Sequence, residues 1–233
     1  MNKKDFSLYR MKAFVESEFN KLIMELKPEH KIELHIPSGL EYIKYIWDYS
    51  LSGNITDAET LVNIFNDDYL YDDAFMHSKY NSTDGICTYV IYVPEHHLLR
   101  LCYDHLYNDS NIDINEVYEY LSTCIRHEIG HLMYAQAVVK DMGYEKANIF
   151  LHNLGQNEIK EYWQFYFDER HKYECKDYAT WDEEDEAYKN FIYKTMEKYY
   201  MLPEESQANH ITNIDVPRFI ELSYKVVYQY AEF

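Results

Sequence analysis

The sequence predicts an α+β protein: a small sheet in the N-terminal part packs on a long central helix, and the rest of the chain is helical. Three observations carry this expectation. "ICTYVIYV", Ile86 to Val93, is dense in β-branched and aromatic residues and is stopped by Pro94, as suits a strand. Asp113 and Glu116 form a capping-box-like pair that opens a helix running to about Asp141, with Gly143 as its C-cap. After Gly143, helical spacing continues nearly to the end.

In order, Phe6 to Leu26 has the spacing of an amphipathic helix, ended by Pro28. "KIELHIP" alternates apolar and polar residues up to Pro37 and suits a half-buried strand. "LEYIKYIWDY" returns to helical spacing. Thr56 and Glu59 make a capping-box pair at the start of "TDAETLVNIF", another short helix. Asp67 to Gly85 is polar and aromatic and reads as a loop before the Ile86–Val93 strand. Beyond the long helix come Tyr144–Arg170, Glu183–Met201, Pro203–Thr212 and a last amphipathic helix over Pro217–Tyr230. No repeat or low-complexity linker divides the chain. Residues 1–143 and 144–233 therefore read as two parts of one continuous domain.

Composition narrows the function. Hydrophobic residues make up 47 % of the 233, enough for a sizeable core. The 26 tyrosines predict a core with many polar edges, because each ring packs while its hydroxyl needs a partner. A net charge of -19 would repel a phosphate backbone, which argues against nucleic-acid binding. The sharpest acidic run, Asp182 to Glu186, reads as the first turn of a helix, where the dipole favours negative charge; a docking patch for a basic partner is the rival reading. Cys87, Cys102, Cys124 and Cys175 form no C-x-x-C pair and fit reduced thiols of a cytoplasmic protein. "MNKKDFSLYR" lacks the apolar run of a signal peptide, and no stretch is apolar enough to span a bilayer.

The stretch that carries chemistry is "STCIRHEIGHLMYAQ", inside the long helix. His127 and His131 are four apart and lie on one face, where both imidazoles can reach one zinc ion. Glu128 points about 100° away, so it can reach a water at the site without being a ligand, as a general base must. Leu121, Ile125, Ile129 and Leu132 form an aliphatic stripe on the other side, anchoring the helix to a core. Gly130 weakens the helix by about 1 kcal/mol relative to Ala, which is easier to explain if another element passes close by.

A catalytic zinc needs a third protein ligand. The metzincin extension is excluded, because Tyr134 and Ala137 stand where its Gly and His would be. Downstream, "LPEESQANHIT" offers Glu205 and Asn209, four apart on one helical face. Glu205 could ligate the metal while Asn209 accepts a hydrogen bond from a ligand histidine. The rival third ligand is Glu158 in "GQNEIKEYW", closer along the chain to His131. His96, His97, His152 and His210 are further candidates; of these His210, beside Asn209, is the one to consider as an oxyanion stabiliser.

HEIGH followed by E-x-x-A-N resembles the gluzincin metallopeptidases, and among them the ImmA/IrrE-like soluble peptidases of bacteria and phages. The resemblance implies a zincin-like fold, His127, His131 and Glu205 as zinc ligands, Glu128 as general base and Asn209 as support for a ligand. It covers these two motifs and the strand before them. The interval from His131 to Glu205 is long for the compact members and implies a helical insertion. Asn209 also replaces an aspartate found in many gluzincins, which would make the supported histidine less basic.

The expected function is zinc-dependent hydrolysis of a peptide or protein substrate, with the Ile86–Val93 strand as the sheet edge that holds an extended peptide. The alternative is a non-enzymatic acidic interaction or inhibitor protein of phage type whose zinc site is structural or vestigial. An open fourth coordination position favours the first, a closed one the second.

Overall fold

The computed structural model describes residues 7–38, 41, 77–83, 86–107 and 113–227. The architecture is α+β and mostly helical. The expected helices in "LEYIKYIWDY" and "TDAETLVNIF" lie outside the described residues, Glu41 apart.

Helix α1, Leu8–Leu26, begins at Ser7, whose side chain accepts from the Arg10 N–H. It buries Met11, Val15, Phe19 and Leu22, a stripe at the four- and three-residue spacing of one helical face. It ends on Lys27, which adopts left-handed φ 51° immediately before Pro28. Strand β1, Ile32–His35, follows. Gln136 of the long central helix donates to the His30 carbonyl and accepts from the His30 N–H, fixing the entry to β1.

Two more strands complete the sheet among the described residues, β2 at His77–Thr83 and β3 at Ile86–Tyr92. Their order is β1-β3-β2, with β1 parallel and β2 antiparallel to β3. Tyr89, Ile91 and Val93 are buried in alternation, the period-2 pattern expected of β3. Two expectations fail here. The stretch Asp67 to Gly85, read as a loop, contains strand β2; its sequence "HSKYNST" is polar, and the antiparallel ladder with β3 makes it a strand where side-chain hydrophobicity gives no sign of one. Nor is the Ile86–Val93 strand a sheet edge: β3 is hydrogen-bonded on both sides, so its backbone is already used.

Helix α2, Glu95–Tyr107, follows directly on Pro94 and packs against α1. It was not expected from the sequence, although Leu98, Leu101 and Cys102 are buried at helical spacing. Helix α3, Ile114–Met142, is the centre of the molecule. Asp113 caps it through the Asn115 N–H, but the second half of the capping box does not form, because Glu116 pairs with Lys225 instead. Gly143, at φ 77°, caps its C-terminus and is also the residue from which α4, Tyr144–Glu174, starts. A single residue in a conformation open to glycine thus joins two long helices.

The chain returns through α5, Trp181–Tyr200, the short α6, Pro203–Thr212, and α7, Val216–Val226. The acidic run is the first turn of α5, capped by Thr180. Much of the tyrosine content lines the seam between α4 and α5, where Tyr173 stacks on Phe191 at 5.9 Å between ring centroids. One buried cluster joins α1, the sheet, α2, α3, α5 and α7. No helix among the described residues is long and apolar enough to cross a membrane.

Helix α3 touches α1, α4, α6, α7 and strands β2 and β3. Its closest neighbour is α6. A Cβ built on Gly130 would collide with the Ala208 carbonyl oxygen and lie 2.9 Å from the carbonyl carbon and 3.0 Å from Cα. Backbone, not a movable side chain, occupies the space that alanine would need. Thr212 Oγ1 donates to the same carbonyl at 2.7 Å, and Arg126 of α3 reaches the Thr212 carbonyl at 3.2 Å while pairing with Glu25 of α1. Asn213, in left-handed conformation, closes α6 with a paired C-terminal bond: Ile214 N–H to Asn209 O and Asn213 N–H to His210 O. Gly130→Ala should therefore destabilise the protein. The overpacking penalty of about 1–3 kcal/mol exceeds the roughly 1 kcal/mol gained in helix propensity. Chemical denaturation would read this as a lower midpoint, and an unchanged or raised midpoint would show that α6 is free to back away.

Candidate metal centre

The contact between α3 and α6 brings three donor atoms together. His127 Nε2 lies 2.8 Å from Glu205 Oε2, His131 Nε2 lies 3.3 Å from the same oxygen, and the two Nε2 atoms are 3.0 Å apart. His127 Nδ1–H donates to Asn209 Oδ1 at 2.9 Å. That bond fixes the tautomer and leaves the Nε2 lone pair directed at Glu205.

Helical geometry accounts for each placement. His127 and His131 are one turn apart on α3, with rings edge to face at 4.6 Å. Glu205 and Asn209 are one turn apart on α6, so one binds the triad while the other supports it. Pro203 at the start of α6 and the acidic pair Glu204–Glu205 in its first turn suit that helix end. On α3 the burial extends round the helix: Leu121, Ile125, Ile129 and Leu132 on one side, His127 on the other, and Glu128 at the edge of the aliphatic stripe, one turn before Leu132.

The donor set fits a cation. Two imidazole lone pairs and a carboxylate oxygen facing one another at about 3 Å would repel unless positive charge lies among them. Ligand atoms at the bond lengths usual for zinc, roughly 2.0–2.2 Å, stand about 3.3–3.5 Å apart in a tetrahedron. The observed triangle is that size less a few tenths of an ångström. The electrostatics agree. Burial works against the charged form of His131, yet the charge and hydrogen bond of Glu205, with Glu128 and Glu204 adding, push it up to about 9. Burial likewise opposes a charged Glu205, but the two imidazoles hold it well below the usual carboxylate range. The buried carboxylate demands positive charge here; a proton on His131 is one way to supply it, and a metal ion among the three atoms is another.

Glu128 is buried beside this triangle, one of its carboxylate oxygens within 4.8 Å of a ring nitrogen of each histidine. His127, Glu128 and His131 thus form a group able to hold a metal ion. The walls are aromatic: Tyr200 and Phe219 flank the His127 ring at 5.6 and 5.9 Å. His131 Nδ1 is buried without a hydrogen-bond partner and has a Glu204 oxygen 3.9 Å away.

The other candidates fare differently. His210 is exposed, whereas Glu205, Ala208, Asn209 and Thr212 of the same helix are buried, so it does not face the site. His96 and His97 pack against each other at the start of α2. Glu158 and His152 lie on α4, with side chains outside the described set. Sequence reasoning missed Tyr200, whose ring packs edge to face on His127 at 5.6 Å. Among 26 tyrosines nothing in the sequence distinguishes it, except that it lies just before Pro203.

Compared with known proteins, the chain matches no family model, no curated protein and no solved structure. The metal-site reading therefore stands on the residues themselves and their geometry.

Proposed function

We propose that this protein is a zinc-dependent metallopeptidase of zincin-like build, with His127, His131 and Glu205 as metal ligands and Glu128 as general base. The observation that carries the reading is the convergence of His127 Nε2, His131 Nε2 and Glu205 Oε2, with a fourth group, the Glu128 carboxylate, buried beside them. A purely structural site has no use for that extra carboxylate.

When bound, zinc would supply Lewis acidity, polarising a peptide carbonyl and making water more acidic. The chain's own residues do the rest. Glu128 accepts the proton of the attacking water on a carboxylate oxygen and returns it to the nitrogen of the leaving amine. Asn209 holds His127 in the tautomer that offers Nε2. The aromatic wall of Tyr200 and Phe219 excludes bulk water and strengthens each charge interaction inside.

A second reading has its own observation. Glu128 and Glu205 are only 8 % and 9 % exposed, a depth that suits a closed, structural metal site in an acidic interaction protein. Metal content and hydrolysis, measured together, separate the two.

Purified protein should carry about one zinc per chain. The double variant His127→Ala/His131→Ala should lose it, and Glu205→Ala should lower affinity sharply, with Glu158→Ala close to wild type. Elemental analysis after gel filtration is the measurement, and full zinc retention by the double histidine variant would refute the site.

Glu128→Gln keeps the size and helix propensity of glutamate but removes the base. It should retain zinc and thermal stability while losing peptide hydrolysis by about 10²–10⁴-fold. A broad peptide library read by mass spectrometry tests this. Equal cleavage by wild type and variant would exclude Glu128 as the base, and zinc-loaded wild type that cuts nothing would favour the structural reading.

A further inference from the structure

We propose that Glu204 is a positioning residue for the second imidazole of the triad: its carboxylate accepts the Nδ1–H of His131 when a metal ion is held, and so fixes the ring that offers Nε2. This rests on the metal centre proposed above.

The two imidazoles are supported unequally. His127 Nδ1–H donates to Asn209 Oδ1 at 2.9 Å, which sets its tautomer. His131 turns the same ring nitrogen to the triangle, with Nε2 3.3 Å from Glu205 Oε2 and 3.0 Å from His127 Nε2. A nitrogen that gives its lone pair to a metal carries no proton, so in the ligating form of His131 the hydrogen sits on Nδ1. That atom is buried, and among the described residues it has no hydrogen-bond partner. A buried N–H left without an acceptor is costly, and histidines that ligate a metal almost always donate theirs.

The group that faces it is Glu204 Oε1, 3.9 Å away. This is too long for a hydrogen bond, and closing it to the usual length of about 2.7–2.9 Å takes a shift of about 1 Å. Glu204 has the freedom to make that shift. Its side chain is 31 % exposed, against 11 % for Glu205, so it lies at the outer edge of the triad.

Helix geometry puts it there. Glu204 and Glu205 are consecutive in the first turn of α6 and point about 100° apart. Glu205 therefore enters the triangle while Glu204 stays beside His131. Asn209, one turn beyond Glu205, reaches His127. The ligand of α6 is thus flanked on its own helix by one acceptor for each imidazole of α3.

The test uses chelator-stripped full-length protein titrated with Zn²⁺ and with Co²⁺. In the Co²⁺ form the ring N–H protons of ligand histidines give strongly shifted ¹H NMR signals, one for each imidazole, and their exchange with water reports whether an acceptor holds them. Wild type is compared with Glu204→Ala, with Glu204→Gln, which keeps an acceptor oxygen in place, and with Glu186→Ala, which removes an exposed charge of α5. Circular dichroism checks the fold. The expected result is metal binding weakened about 10–100-fold in Glu204→Ala, with one of the two shifted N–H signals lost to fast exchange. Glu204→Gln should lose less, and Glu186→Ala should match wild type. Wild-type affinity with both signals intact in Glu204→Ala would overturn the role while leaving the metal centre standing. Weakened binding with both signals intact, or equal weakening in Glu186→Ala, would overturn it too, the first as a packing effect and the second as an effect of net charge. Should Glu204→Ala lose helicity, Glu204→Gln decides, and wild-type affinity and exchange there would overturn the role. Wild type that takes up neither ion would remove the metal centre, and this proposal with it.

Discussion

The close approach of α3 and α6 at Gly130 and Ala208 is the constraint on which the rest depends. The donor triangle is shared between these two helices, with two imidazoles from one and a carboxylate from the other. Its edges near 3 Å exist because no side chain separates the backbones there. Arg126 and Thr212 secure the far end of the same contact, and Asn209 secures its middle through His127. A glycine that weakens α3 locally is offset by what its absence of a Cβ permits.

The site is a polar island in an otherwise apolar interior. On α3 the aliphatic stripe packs into the main core, while the face turned away from it carries the two imidazoles and Glu128 is buried at the stripe's edge. Such groups are costly to bury unless each finds a partner. The partners of the two imidazoles come from α6: Glu204, Glu205 and Asn209. One short helix thus supplies a donor triad atom and the support of a histidine. The negative charge gathered here is local, and it differs from the exposed acidic first turn of α5, which complements a helix dipole.

The legible features of the sequence were those whose residues act through local spacing. The histidine pair, the caps at Asp113 and Gly143 and the Glu205–Asn209 pair are all set by one helix at a time. Gly130 pointed to a close neighbour through its cost to the helix, and the neighbour proved to be the helix carrying Glu205. The misreadings arose where a partner element decides the outcome. Strand β2 has no hydrophobic alternation and owes its conformation to pairing with β3. The central place of β3 depends on a parallel pairing with β1, which no local pattern announces. Tyr200 meets the His127 ring only once α5 has packed against the central helix, so it looks like any other tyrosine in the chain.

The ten-residue helix α6 is too short to persist alone in water. Its side-chain triad atom lies 78 residues after His127 along the chain. During synthesis the two imidazoles therefore leave the ribosome first, on a helix able to form early, while the carboxylate arrives only after α4 and α5 have been made. Assembly of the triad is a long-range event, because it requires the returning helices to dock onto α3. A chain interrupted between the two motifs would keep its histidine pair yet have no third donor atom to close it.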